Sequence, residues 1–277
     1  MEGITTSIQF GTVHIPRILL LAGALAGLLL TGTAHAGTGA ASVPVPTGTE
    51  ALTRNPLYRS GKLTVPCGTQ PEDSGSFTAT KKHLTAMLNC LNASWSAQLK
   101  KVGLPFRNPK IRFIAKPTRA CGSAWGENVT GRYCDDKRQL VVLIGEYAIE
   151  DPADPVALHL IAHEYAHHVQ NLTGMSASYW NMPARTKAQA LAQSRRFELQ
   201  ADCLGAAFMR SIWASQEYQD EDWQEVVDLY RESGDEAFDK ERSHGNGKNR
   251  VAWLRKGFAA ASPAACNTWT APAARVS

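Results

Sequence analysis

The pentapeptide HEYAH at residues 163–167 constrains this chain more than any other stretch of its sequence. A helix turns about 100° per residue, so side chains four positions apart project from nearly the same face. His163 and His167 can therefore bind one metal ion, and zinc is the usual cation for such a pair. Glu164 lies a quarter turn aside, where its carboxylate can take a proton from a water at the metal's open position. The motif predicts a helix that supports zinc-dependent hydrolysis.

The residues around the motif also predict a helix. Asp154 is a good N-cap, Pro155 suits the first helical position, and Gly174 favours termination. An apolar stripe lies roughly opposite the two histidines, so one face can be buried while the other holds a metal. The alternative is that the histidines only form hydrogen bonds. The stripe consists of Leu158, Ala162, Tyr165, Val169 and Leu172.

A third ligand must come from elsewhere, because a catalytic zinc usually has three protein ligands and one water. Residues 187–215 are rich in Ala, Leu and Gln and contain no Pro, which predicts a second long helix. Within it, Glu198 and Asp202 are four residues apart and share a face. We expect Glu198 to bind the metal and Asp202 to accept the N–H of a ligand histidine. The alternative for such a pair is a solvated helix face.

Three stretches of the chain together resemble one known family. They are HEYAHHVQNL at residues 163–172, ELQADC at 198–203 and HGNGKNRVAWLRKGF at 244–258. In order and spacing they look like the signature stretches of the putative neutral zinc metallopeptidase family, a bacterial group within the zincins. The resemblance extends over roughly residues 55–266.

The resemblance implies a role for each residue of the motif. His163 and His167 would bind the zinc ion, and Glu164 would be the general base. Glu198 would be the third ligand, as in glutamate-type zincins such as thermolysin. The family pattern has a glycine before the second ligand histidine, where this chain has Ala166, and a methyl group there removes no ligand.

His244 lies in a glycine-rich loop that precedes an amphipathic segment. Peptide hydrolysis develops negative charge on the former carbonyl oxygen, and a histidine donor beside zinc stabilises such a charge. The residue type alone favours a solvated turn for His244, whereas the resemblance favours a catalytic role. Two other histidines, His159 and His168, are expected to form hydrogen bonds or line the substrate wall rather than bind the metal.

The N-terminal residues have the three parts of a secretory signal peptide. Arg17 precedes an apolar run at residues 18–30, and the sequence AHA at 34–36 follows it. The run has 13 residues, whereas a membrane-spanning helix needs about 20. We therefore predict that residues 1–36 are removed on export, with membrane anchoring as the alternative.

Residues 37–53 are predicted to form a flexible leader, because this region is rich in Gly, Thr, Pro, Ser and Ala. Residues 54–277 would form the zinc metallopeptidase domain. The formal net charge of +4 includes no basic cluster that would favour nucleic acid. We expect a peptide or protein substrate, no stable membrane insertion after cleavage, and a secreted, extracellular bacterial protein. The sequence leaves cell-wall association and the oligomeric state open.

All six cysteines lie after the signal segment, and their even number favours disulfide bonds in an exported protein. The sequence does not select one of the fifteen possible pairings. We predict pairing in sequential order. The chain contains no CxxC motif, which disfavours a structural zinc site. The predicted pairs are Cys67 with Cys90, Cys121 with Cys134, and Cys203 with Cys266.

The remaining pattern predicts a helix at residues 80–101, strands at 110–115 and 139–145, and a final helix at 250–260. This order gives an α+β domain with a mainly helical C-terminal half. The resemblance implies a zincin-like arrangement, in which a small sheet packs on the HEYAH helix and its edge strand pairs with the substrate. Residues 140–144 are our candidate for that edge.

These observations favour a secreted zinc metallopeptidase in which Glu164 activates the water. Two alternatives use the same ligands. One is a non-catalytic, zinc-stabilised domain that binds a peptide or a cell-wall fragment, although such a site has no need of a base. The other is a zinc hydrolase that acts on a non-peptide amide or ester. The sequence does not reveal which substrate is cleaved.

Overall fold

The computed structural model of the protein describes most of the chain after residue 42. The predicted signal peptide, residues 1–36, lies outside the described residues, as do residues 37–42 of the predicted leader. Among the described residues, every helix is too short or too polar to span a bilayer. The described ranges are 43–68, 71, 75–126, 129–237 and 242–277.

The described residues form an α+β fold in which helices dominate and one small sheet contributes the rest of the regular structure. The α-helices are α1 Gly48–Thr53, α2 Phe77–Lys101, α3 Glu146–Glu150, α4 Pro155–Leu172, α5 Met175–Trp180, α6 Lys187–Ile212, α7 Asp220–Glu232 and α8 Gly247–Ala260. Short 3-10 helices occur at Pro56–Arg59, Trp213–Gln216, Pro263–Cys266 and Ala273–Arg275. The strands are β1 Lys110–Ile114, β2 Gly131–Cys134 and β3 Gln139–Leu143.

The predicted ends of the HEYAH helix are confirmed in α4. The helix begins at Pro155, and the Asp154 side chain accepts hydrogen bonds from the backbone N–H groups of Val156 and Ala157. The chain turns away after the helix at Gly174, whose φ of 79° lies in the left-handed region that glycine adopts without strain. The local sequence thus fixes both ends of the helix that carries the motif.

The sheet has the strand order β1, β3, β2, with β1 parallel and β2 antiparallel to β3. The prediction that residues 140–144 form the substrate-facing edge is therefore wrong, because β3 is the central strand. Leu140, Val141 and Val142 are all 0% exposed, as expected of a strand covered on both faces and paired on both sides. The edge that contacts α4 belongs to β2, a four-residue strand that the sequence does not predict.

The end of the predicted leader at residues 37–53 also differs from the structure. Residues of this segment form α1, in which Ala51 and Leu52 are buried. The side chain of Asn55 donates hydrogen bonds to the carbonyl oxygens of Ala51 and Thr173, which joins α1 to the end of α4. The packed domain therefore begins before residue 54, because α1 buries apolar side chains that its composition did not distinguish from a linker.

Close packing brings α6 against both α4 and α8. A Cβ atom on Gly205 of α6 would lie 3.1 Å from the backbone nitrogen of His163. A Cβ atom on Gly257 of α8 would clash with the carbonyl oxygen of Cys203. Glycine at these two positions therefore lets the three helices approach closely, and the approach of α6 to α4 places Glu198 opposite the two histidines.

The structure contains three disulfide bonds in the sequential order that we predict. The bond between Cys203 and Cys266 joins α6 to the C-terminal segment, next to Asp202 in the sequence. It closes the longest of the three loops, which removes the most freedom from the unfolded chain. The pairs are Cys67 with Cys90, Cys121 with Cys134, and Cys203 with Cys266.

Candidate metal centre

Three side chains from α4 and α6 converge on one point. His163 and His167 lie one turn apart on α4, and Glu198 faces them from α6. Oε2 of Glu198 lies 3.3 Å from Nε2 of His163 and 3.3 Å from Nε2 of His167. All three ligand atoms lie within 4.8 Å of one another. The structure therefore brings together the three residues that the sequence singles out as ligands.

The distances from Glu198 to the two histidines fit a tetrahedral zinc ion. Zinc binds nitrogen and oxygen at about 2.0–2.1 Å, so two ligand atoms of a tetrahedral shell lie about 3.3 Å apart. Both distances from Glu198 have this value. Two imidazole nitrogens and one carboxylate oxygen are also the ligand set of a catalytic zinc with one position left for water. The residues present thus fit zinc.

Asp202 of α6 contacts the first histidine of the motif. Its Oδ1 lies 2.7 Å from Nδ1 of His163. Because an ionised carboxylate only accepts hydrogen bonds, Nδ1 carries the proton and Nε2 is free to face Glu198. Arg250 of α8 then donates two hydrogen bonds to Asp202, from Nε at 3.0 Å and from Nη2 at 3.1 Å. The buried Asp202 and Arg250 therefore hold the His163 ring through Nδ1, on the side away from Glu198.

Charged neighbours keep the carboxylates of Asp202 and Glu198 ionised. Burial alone would raise the pKa of Asp202, but the Arg250 guanidinium and the hydrogen bond from His163 hold it well below its usual range. Burial would also raise the pKa of Glu198, and the charges of nearby histidines, mainly His167, hold it well below its usual range. Burial lowers the pKa of His163, but its bonds to Asp202 and Glu198 outweigh burial and raise it to about 10. A zinc ion would therefore replace a proton on this ring.

The second histidine has its own supporting group. Nδ1 of His167 lies 2.8 Å from Oε1 of Gln170. The amide nitrogen of Gln170 donates to the carbonyl oxygen of Phe197 and to the side chain of Gln200, which turns its oxygen towards the imidazole. The Phe197 ring stacks on the His167 ring at 5.0 Å between centroids. Both ligand rings are thus fixed by contacts behind them.

Glu164 lies beside the three ligands without being one of them. Its Oε2 accepts a hydrogen bond of 2.7 Å from the backbone N–H of Tyr133 in β2. A Cβ atom on Gly131 would lie 3.0 Å from Cγ of Glu164, so glycine at this position leaves room for the carboxylate. The edge strand β2 therefore fixes the orientation of the predicted base.

His244 lies next to the metal ligands but further from them. Its Nε2 is 3.7 Å from Oε2 of Glu198, and its side chain is 43% exposed. Asp235 holds the loop, because its two carboxylate oxygens accept the backbone N–H groups of His244 and Gly245 at 2.9 and 2.8 Å. The structure thus places His244 at the open side of the candidate metal centre.

The other two histidines near the motif have different partners. His159 contacts the Tyr230 hydroxyl with Nδ1 and the Asp202 carbonyl oxygen with Nε2. His168 contacts the Tyr133 hydroxyl with Nδ1 and the carbonyl oxygen of Arg107 with Nε2. Burial lowers the pKa of His159 to about 3 and that of His168 to about 4. Neither ring has a nitrogen left for a metal.

A cleft of about 330 Å³ opens in front of these residues. The residues that line it come from the segment before and at the start of β2, the HEYAH helix, the end of α7, the His244 loop and α8. Its wall includes Thr130, Gly131, His163, Glu164 and His244. A first metal ligand, the predicted base and the predicted charge-stabilising group thus face one space large enough for part of a substrate.

A sequence model of one protein family, described as putative neutral zinc metallopeptidase, matches residues 65–269. The matched region contains the HEYAH helix, Glu198 and the His244 loop. The chain belongs to the putative neutral zinc metallopeptidase family. Membership confirms the resemblance found in the sequence, and it supports zinc as the metal that this family member binds.

This family member is also similar to proteins from two bacteria. It is 27% identical over 207 residues to the uncharacterised protein YpfJ of Escherichia coli K12, a match that covers 68% of this chain and 71% of YpfJ. It is 30% identical over 214 residues to the uncharacterised protein Rv2575 of Mycobacterium tuberculosis H37Rv, which covers 66% of this chain and 68% of Rv2575. No solved structure matches the chain.

Several residues of this site were missed in the sequence. Arg250 directly precedes the apolar run VAWL of an amphipathic segment, and a charge beside such a run can have a buried partner. Gln170 lies three residues after His167, close enough on a helix to suggest contact. Asp235 and Tyr133 carry no local signal, because their partners lie on other elements.

Proposed function

We propose that this protein is a secreted zinc metallopeptidase with a zincin-like active site. His163, His167 and Glu198 hold the zinc ion. The observation that carries the proposal is the position of Glu164, whose carboxylate borders the same cleft as His163 but lies outside the group of three ligands. A structural zinc site usually has four protein ligands and needs no base, so this arrangement favours catalysis.

Zinc and Glu164 would have different roles in the hydrolysis of a peptide bond. Zinc held by His163, His167 and Glu198 would lower the pKa of a coordinated water and polarise a carbonyl oxygen. Glu164 accepts the proton of the attacking water and passes it to the leaving amine. One oxygen of its carboxylate is held by the Tyr133 N–H, so the other can receive the proton. The base is thus oriented before a substrate arrives.

His244 is proposed to stabilise the negative charge that develops on the carbonyl oxygen. Its imidazole borders the cleft on the side of Glu198. A hydrogen-bond donor fixed at such a point gains strength as the charge develops. Asp235 supports this role, because its two bonds to the loop backbone hold His244 near the ligands.

We infer that the substrate backbone lies along β2 rather than along residues 140–144. Strand β2 is the edge next to α4, and the Tyr133 N–H points away from β3 towards Glu164. Gly131 lies two residues earlier, so its backbone groups point to the same side, and it borders the cleft. An extended peptide can add to this edge by main-chain hydrogen bonds.

Export is supported by two independent features. The predicted signal peptide occupies residues 1–36. Three disulfide bonds join all six cysteines, and such bonds persist in oxidising compartments outside the cytosol. The mature protein is therefore proposed to act outside the bacterial cell on peptides or proteins.

The test combines zinc content with cleavage of an unbiased peptide library by the mature chain. We expect one zinc per chain and cleavage that a chelator abolishes. Glu164→Gln should retain zinc and lower turnover by about 100- to 10,000-fold, because it removes only the base. Glu232→Gln, an exposed change at the end of α7, is the matched control and should leave both unchanged.

Other outcomes would select the alternatives. Stoichiometric zinc without cleavage of any peptide would favour the zinc-stabilised binding domain. Zinc-dependent hydrolysis of amide or ester probes alone would favour a hydrolase of non-peptide substrates. Near-native peptide cleavage by Glu164→Gln would show that another group is the base.

A further inference from the structure

A second cavity of about 540 Å³ adjoins the metal cleft. Four residues line both spaces, so the two share a wall. Leu160 belongs to this wall and lies one helical turn before Glu164 on α4, which places the second cavity on the side of the base. The shared residues are Val129, Thr130, Leu160 and Leu229.

The second cavity is lined mainly by apolar side chains that remain half-buried. Leu143 reaches it from β3, Val156 and Leu160 from α4, and Leu229 from α7. These side chains come from three elements, border one space and remain partly exposed to water. A bound apolar group can therefore remove their exposed surface from water. These side chains converge on one space, unlike the single exposed apolar side chains that occur on every protein.

The charges around this cavity disfavour an acidic ligand group. Among the lining residues that the structure describes, none is basic, and the acidic one is Asp154. Its carboxylate accepts the backbone N–H groups of Val156 and Ala157, so it is already used as a helix cap. An acidic ligand group would meet a like charge there without a basic partner.

We propose that this apolar pocket binds a large apolar side chain, such as that of Leu or Phe, next to the scissile bond of the substrate. The proposal rests on the proposed peptidase function and names its substrate class. The wall that the pocket shares with the metal cleft makes the two spaces neighbours, and this is why we assign the pocket to a residue next to the bond beside Glu164. The volume lies within the range of natural ligand sites and holds a whole aromatic ring.

Gly145 offers a way to fill the pocket without strain. It lines the cavity, and a Cβ atom built on it meets nothing within 4 Å. Its φ is −86°, which any residue adopts. Gly145→Leu should therefore fold normally and occupy part of the pocket. Gly68→Leu is the matched control, because Gly68 is exposed and its nearest contact would be an ordinary 3.8 Å to the Ser215 carbonyl oxygen.

The first test uses peptides that differ only in the residue beside the scissile bond. Zinc-loaded wild type should cleave the Phe peptide with a kcat/KM at least about tenfold above that for the Ala peptide. Gly145→Leu should lower the value for Phe at least about tenfold and leave that for Ala nearly unchanged, whereas Gly68→Leu should change neither. Equal cleavage of both peptides, or an unchanged preference in folded Gly145→Leu, would overturn the proposal.

The second test does not depend on cleavage. N-acetyl-phenylalaninamide is titrated into the zinc-loaded chain while the methyl resonances of Leu143, Leu160 and Leu229 are followed by NMR. These methyls should shift in wild type and in Gly68→Leu, and respond far less in Gly145→Leu. Absence of shifts in wild type would reject the pocket, even if peptides are cleaved. If the methyl resonances shifted but the protein cleaved no peptide, binding in the apolar pocket would be supported and the peptidase function would be rejected.

Discussion

The two sides of α4 are built in opposite ways. Towards α6 and α8, polar groups are buried and paired, as in the chain from His163 through Asp202 to Arg250. Towards β3 and α7, apolar groups such as Val156 and Leu160 stay half-buried beside a cavity. An unpaired buried charge costs several kcal/mol, so the charged groups on the side of the metal centre must be paired when the protein folds. The apolar side can keep half-buried side chains after folding, because a substrate can cover them.

The largest expected effect comes from removing a ligand on the polar side. Glu198→Ala should reduce zinc affinity by more than about 100-fold, since loss of a supporting residue alone typically costs 10- to 100-fold. Competition with a chromophoric chelator measures this affinity. The same variant should still bind N-acetyl-phenylalaninamide in the apolar pocket. Unchanged zinc affinity would remove Glu198 from the ligand set.

A smaller effect is expected from breaking the charge chain behind His163. Arg250→Met leaves Asp202 buried without its main partner, so unfolding by urea should show a loss of about 3–5 kcal/mol. Zinc affinity should fall about 10- to 100-fold, because the imidazole loses its fixed orientation. Arg250→Lys keeps the charge and should recover part of both losses. If Arg250→Met were destabilised but bound zinc normally, Arg250 would have no positioning role.

The smallest effect concerns pH. Without zinc, the pKa of His163 is raised from 6.5 to about 10, so its contribution to stability is complete below pH 6.5 and is lost as the pH rises towards 10. Bound zinc keeps this ring neutral and removes that dependence. The pKa of His167 is raised as well, so the stabilisation by saturating zinc should grow between pH 6.5 and 9, by at most about 1.4 kcal/mol per pH unit for each proton that zinc displaces. Thermal unfolding with zinc and with a chelator measures it, and a constant difference would contradict protonation of His163.

The polar side of the site was largely predictable from the sequence, because its geometry is local. The spacing of four residues places His163 above His167 and Glu198 above Asp202, whatever the rest of the fold does. The same local rules give both ends of α4, at Asp154 and Gly174. The crossing of the two helices was supplied by the resemblance, and the supporting residues Arg250 and Gln170 were missed.

The apolar side was not predictable, because it depends on contacts between distant parts of the chain. Strand β2 has only four residues, and its place at the edge follows from pairing with β3. The prediction that residues 140–144 form the edge was therefore wrong. The pocket joins residues from β3, α4 and α7, and no local pattern shows that Leu143 and Leu229 border the same space.

The most direct test of the central claim is a crystal structure of the zinc-loaded chain with anomalous scattering recorded at the zinc edge. The proposed site predicts one zinc about 2.0–2.2 Å from Nε2 of His163, Nε2 of His167 and a carboxylate oxygen of Glu198, with water as the remaining ligand beside Glu164. Zinc at another position would contradict the ligand set. His244 bound as a fourth protein ligand would make the site closed and structural, and would contradict its assignment as a catalytic centre.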